Sequence, residues 1–152
     1  MRAPIRALYH GDMSGNLNIV KLCVGCDDPT QLQLWQRQRW GDANPQHVTR
    51  MWPRREAELL DGGSIYWVFK GTILARQRIL ALNERISEDG IRRCALVLEP
   101  QLWRTAATPR RPFQGWRYLP GNESPPDLPA DRAEEPSLPP EIARALSDMG
   151  LR

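Results

Sequence analysis

The stretch HVTRMWPRREAELLDGGSIYWVFKGTILARQR, residues 47–78, decides the fold. Residues 47–52 read as a short strand. Pro53 then opens a helix over PRREAELLD, because proline is accepted in a first helical turn, where its missing N–H has no partner to lose. Leu59 and Leu60 turn toward a core. Gly62-Gly63 ends the helix and lets the chain turn through positive φ. SIYWVFK, residues 64–70, is β-branched and aromatic, the strongest strand signal in the chain. Gly71 makes a tight turn. Residues 72–82 fit a helix or a strand, and so tight a turn favours the returning strand.

Upstream, NIVKLCV at 18–24 is a buried-strand run. Asp28-Pro29 offers an N-cap followed by a first-turn proline. The helix continues through QLQLWQRQRW, with Leu32, Trp35 and Arg39 along one face. GDANP at 41–45 is a loop. Downstream, Glu88-Asp89-Gly90 signals a hairpin, and residues 91–98 form the next strand. Residues 101–119 read as loop with one last strand. The order βαβαβββ predicts an α+β domain: a small, mostly antiparallel sheet or barrel with two short helices.

A chain of 152 residues suits one domain. Residues 1–12 read as a disordered leader or a mis-assigned start, with Met13 the natural one. Residues 13–119 form the globular domain. Nine of the 14 prolines lie between Pro109 and Pro140. Residues 120–152 therefore read as an acidic, proline-rich tail, mostly disordered, with a short helix over 141–149. No apolar run reaches transmembrane length, no secretory signal is visible, and three cysteines give no disulfide framework. The expectation is a cytoplasmic protein without membrane contact.

Charge is uneven along the chain. Residues 37–117 carry fifteen basic and eight acidic side chains, whereas residues 118–152 carry three and seven. A basic body with an acidic tail suits a domain that meets a polyanion, and such a tail can fold back as an internal competitor. Arginine outnumbers lysine nineteen to two, a bias genome composition alone produces, so clustering carries the argument. Three groups stand out: Arg50, Arg54 and Arg55; Arg76 and Arg78; Arg110, Arg111 and Arg117. Arg76 and Arg78 share a face of a strand, as do Arg50 and Trp52 if that segment is extended. The leading reading is a noncatalytic nucleic-acid-binding module, leaning to RNA. These arginines would meet phosphate, with Trp52 or Trp116 stacking on a base. The bland alternative is a solvated sheet face with its tryptophans in the core.

Other chemistry is thinly represented. Cys23 and Cys26 form one CxxC where a strand gives way to a helix. Cys94 and His47 are the remaining ligands a zinc site would need, but buried structural thiols are the simpler reading. No metal or cofactor is expected. His10 lies in the leader, which leaves His47 as the one body histidine and weakens histidine-based catalysis. No catalytic residue is nominated. Two other functions stand beside the first. One is a small enzyme acting on a nucleotide or other anionic metabolite, with Glu56 or Asp61 as base. The other is an adaptor whose proline-rich tail engages a protein partner.

The motifs at residues 47–79, with NIVKLCVG upstream and RRCALVL and RRPFQGWRYL downstream, resemble a bacterial family, domain of unknown function 1489, from residue 16 to about 119. That likeness implies one cytoplasmic domain and carries no activity or catalytic residue. Its members begin near NLNIVKLCVG, and Cys23 belongs to their pattern. More distantly the chain is similar to the PUA-like superfamily, including ASCH domains, where a short helix ending in glycine leads into such a strand. This likeness implies a small barrel and a taste for RNA or modified bases.

Overall fold

The computed structural model describes residues 17–129. The expected leader, Met13, His10 and the helix at 141–149 lie outside the described residues.

β1 (Leu17–Leu22) leads through the Cys23–Cys26 turn to α1 (Pro29–Trp40). Asp28 caps α1 through its carboxylate, which accepts from the Gln31 N–H at 2.9 Å. β2 (Gln46–Thr49) follows, then α2 (Glu56–Leu60), β3 (Ser64–Phe69), β4 (Thr72–Ile86), β5 (Arg92–Pro109) and β6 (Trp116–Pro120). Lys70 and Gly71, at φ 49° and 84°, form a two-residue turn between β3 and β4. Positive φ at both turn positions matches the right-handed twist of the flanking strands. The two adjacent glycines have separate tasks. Gly62 takes a φ of 86°. A Cβ on Gly63 would lie 2.2 Å from the Leu59 carbonyl oxygen and 2.4 Å from that of Leu17. Gly63 thus lets the end of α2 press onto the start of β1.

The six strands form one mixed sheet, ordered β2-β5-β4-β3-β1-β6, so the protein is α+β. Among the described residues, only β1 and β3 pair in parallel. Bulges interrupt the β3–β4 and β4–β5 ladders between Trp67 and Val68, Ile73 and Ala75, and Gln77 and Ala81. Each bulge deepens the local twist, and together they curl the sheet. The curl brings its two edges together. Trp116 on β6 donates to the Met51 carbonyl, just past β2, at 3.1 Å. The Tyr118 hydroxyl accepts from the Arg55 N–H at 3.0 Å. The concave face holds the main core, with Ile19, Leu32, Leu59, Ile65, Trp67, Phe69, Ile79, Leu96 and Leu98. Two buried glutamines tie α1 to this face. Gln36 and Gln77 exchange amide hydrogen bonds at 2.7 and 3.2 Å, and Trp67 Nε1 donates to Gln77 at 3.1 Å.

The convex face carries a smaller cluster of Val20, Tyr66, Val68, Ile73 and Leu119. Residues 121–128 cross it as a strap from β6 to β5. Ser124 accepts from Asn18 of β1, Asp127 takes the Arg76 guanidinium of β4, and Leu128 N–H reaches the Arg104 carbonyl of β5 at 2.8 Å. Gly121 and Pro125 are buried. The folded part therefore runs at least ten residues past Leu119, where composition suggested an unpacked tail. Three further expectations change. β2 stops at Thr49, so Arg50 and Trp52 share no strand face. Residues 101–109 belong to β5, with Pro100 at a ladder irregularity where a missing N–H is tolerated. Trp35 is not buried with Leu32; it is 50% exposed and Gln36 is buried instead. No helix among the described residues is long and apolar enough to cross a membrane.

Candidate functional site

Two surfaces have chemistry to offer. The first is a cleft of about 310 Å³ at the open end of the curled sheet. The loop after β1 supplies Cys23 and Cys26, α1 supplies Leu32, Trp35 and Gln36, β2 supplies Gln46 and His47, and Lys21 and Trp67 line it from β1 and β3. His47 meets the Trp67 ring edge-on, with centroids 5.2 Å apart. Its Nε2 is buried without a hydrogen-bond partner. Burial, then the Lys21 charge, pushes the imidazole pKa down to about 4, so the ring is neutral at physiological pH. Burial also lowers the Lys21 pKa. No described carboxylate pairs with Lys21 or lines the cleft. Burial, reinforced by Cys26, pushes the Cys23 thiol far up, so it is a poor nucleophile at neutral pH. Beside the cleft, Trp35, Arg39, Trp40 and Arg85 continue the wall past His47.

The second surface is a shallow basin between β5 and β6, about 560 Å³, lined by Arg110, Arg111, Phe113, Arg117 and Tyr118. The guanidiniums of Arg110 and Arg117 lie 5.6 and 5.4 Å from the Phe113 ring centre. Arg117 also donates to the Gln114 carbonyl at 2.8 Å, which fixes its direction. None of the three has a carboxylate partner among the described residues. Arg55 stacks 5.6 Å from the Tyr118 ring, so the Arg54–Arg55 corner adjoins this basin.

The remaining expected site residues divide. Arg50, Arg54 and Arg78 are exposed, with no carboxylate partner among the described residues. Arg55 is paired with Glu58 through two hydrogen bonds. Arg76 does share the convex face with Arg78, but it is already held. Asp127 grips it bidentately at 2.8 Å, Ser64 accepts a third hydrogen bond, and its side chain is only 13% exposed. An arginine so paired is a strap anchor rather than a phosphate contact. Trp116 is 4% exposed and packs on Tyr118, so it cannot stack on a base. Trp52 is half-buried beneath Arg92, 4.4 Å from its ring centre, and donates to Glu56 at 3.2 Å. That bond engages Glu56, the first carboxylate considered as a base.

The sequence profile of a family described as "Protein of unknown function (DUF1489)" matches residues 19–152. The chain belongs to this family. No curated protein and no solved structure matches it significantly.

In this DUF1489 member the cysteine pair and His47 share one cleft, whereas Cys94 is buried on β5 beside Glu56 and Arg92. Among the described residues no group of three or more His, Cys, Asp or Glu side chains is placed to hold a metal ion. The groups that sequence reasoning passed over are Lys21, Trp35 and Gln36. Lys21 sits alone in an apolar strand, and that was the one available signal. Nothing in the local pattern shows that β2 returns across the sheet to face it.

Proposed function

We propose that this protein is a noncatalytic nucleic-acid-binding module, leaning to RNA, whose phosphate contacts come from the basin between β5 and β6. The observation that carries the reading is the convergence of Arg110, Arg111 and Arg117 on one shallow surface with no described carboxylate to neutralise them. Phosphate oxygens accept from planar guanidiniums in bidentate fashion. Phe113 and Tyr118 place aromatic rings beside those charges, as single-strand binding uses. Arg54, adjoining through Arg55 and Tyr118, extends the positive surface. The distant likeness to PUA-like domains supports the same reading at the level of fold alone.

Fluorescence anisotropy with a single-stranded RNA across a salt series tests it. Binding should weaken steeply with salt. Replacing Arg110, Arg111 and Arg117 with alanine should lower the log–log slope by about 2, roughly 0.7 per lost single-strand phosphate contact. Equal affinities and slopes in the two proteins would remove the basin from consideration. The alternative of a small anion-metabolising enzyme is supported only by the existence of the cleft. The adaptor reading takes the proline-rich tail, residues 120–152, as its candidate partner segment.

A further inference from the structure

We infer that the cleft between β1, α1 and β2 is a separate binding site for a small free organic acid, a monocarboxylate on an apolar body the size of one ring, with the Lys21 ammonium as its counter-ion.

Charge decides the class. Ile19 of β1 is buried in the concave core, and Lys21, two residues on, points to the same face, level with Trp67 of β3. β6 pairs with β1 no further than Lys21, so the end of β1 opens into the cleft. Among the described residues the lining holds no carboxylate and no other lysine or arginine, and its histidine, His47, is neutral and packed edge-on against Trp67. Lys21 is thus a half-buried ammonium with no carboxylate partner among the described residues. Burial lowers its pKa, as for an ammonium short of solvent and counter-charge. An anion supplies that counter-charge, and apolar surroundings strengthen the attraction. The neighbouring polar groups add donors. The Gln46 side-chain oxygen accepts from Arg85 at 2.5 Å, which leaves its amide N–H groups without a partner among the described residues. The Cys23 and Cys26 thiols are further, weak donors.

The walls decide the rest of the ligand. Trp67, Leu32, the half-exposed Trp35 and the exposed Val24 line the cleft with apolar surface that a hydrocarbon body would cover. A volume of about 310 Å³ sits at the lower limit of small-molecule sites, which run from roughly 300 to 1,000 Å³. One ring or a short branched chain fits that size. One ammonium balances one negative charge, so a carboxylate suits the site and a phosphate dianion leaves a charge unpaired in apolar surroundings.

This site uses none of the basin arginines, so it stands or falls apart from the phosphate-reading surface. The full chain would be titrated with phenylacetate, its neutral isostere phenylacetamide, acetate and phenyl phosphate. Tryptophan fluorescence and the indole ¹⁵N–¹H resonances of Trp35 and Trp67 would be followed. Phenylacetate should bind about tenfold or more tightly than each of the other three and shift both indoles, since a charge-assisted contact and an apolar body each contribute at least that factor. Lys21→Met should weaken phenylacetate about tenfold or more, and replacing the three basin arginines should leave its affinity unchanged. Because the amide and acetate comparisons need no variant, misfolding of Lys21→Met leaves the test intact. Equal binding of phenylacetate and phenylacetamide, or no indole shift at millimolar phenylacetate, would overturn the inference. So would tighter binding of phenyl phosphate, or a loss of affinity in the triple arginine variant and none in Lys21→Met. Tighter binding of a short peptide ending in phenylalanine would overturn the assignment to a free acid. Salt-sensitive RNA binding with no response to phenylacetate would overturn the cleft and leave the basin.

Discussion

His47 is a half-buried histidine whose surroundings disfavour its charged form. Its folded pKa, pushed down to about 4, lies below the ordinary value of 6.5. The unfolded chain therefore binds more protons between those values. Stability is full above about pH 6.5 and declines as pH falls toward 4, by about 3 kcal/mol across the whole window. Carboxylates begin to titrate there too, so the measurement is a difference: urea melts of wild type and His47→Gln at pH 7 and pH 4.5. The wild type should lose more stability on acidification than the variant, and equal losses would refute the assignment. Gly63 gives a second prediction at this scale. Gly63→Ala places a methyl against the Leu59 and Leu17 carbonyls. Both obstacles are backbone, so the variant should be destabilised by about 3 kcal/mol or more. A thermal melt within a degree of wild type would show that α2 and β1 can move apart.

At the scale of elements, the strap is the feature that changes the functional reading. Its Asp127 removes Arg76 from the set of available cations and fixes residues 124–128 across four strands. Charge-assisted hydrogen bonds of this kind contribute about 1.5–3 kcal/mol. Asp127→Ala should lower stability by that amount and leave Arg76 accessible. Amide exchange should then quicken at Ala106 and Leu128, whose N–H groups bond across the strap and β5. Unchanged exchange there would mean that backbone pairing alone holds the strap. A second element-scale point concerns α1. Its Gln36–Gln77 amide pair anchors the helix over the concave face, so the position of the cleft wall depends on a polar contact inside an apolar core.

At the scale of the whole molecule, the strap covers part of the sheet. Tyr66 is buried on the convex face beside Ser124 and Asp127 of the strap, while Leu22 and Phe113 pack against the same cluster. A chain ending at Leu119 would lose that cover. It should bind a hydrophobic dye and unfold less cooperatively, whereas one ending at Pro129 should melt close to the full chain. If both truncations melt alike, the strap contributes nothing to the fold. The cleft, with its Lys21 ammonium, and the basic basin share no lining residue.

Local chemistry in the sequence determined the elements. Asp28-Pro29 starts a helix, Gly62-Gly63 ends one, SIYWVF is a buried strand, and a two-residue turn returns the chain, because caps, turns and β-branched runs act over a few residues. Those signals sufficed for an α+β domain with a mostly antiparallel sheet. Family membership was legible as well, in motifs spread over most of the chain. Tertiary structure decided the sites. Whether an arginine is free depends on what lies across from it, and Asp127, fifty-one residues from Arg76, lies across from that one. Whether a tryptophan can stack depends on burial, and Trp116 is buried because the curl brings β6 to the end of β2. Lys21, Trp35 and His47 come from three separate elements, and the curled sheet with α1 docked on it brings them to one cleft.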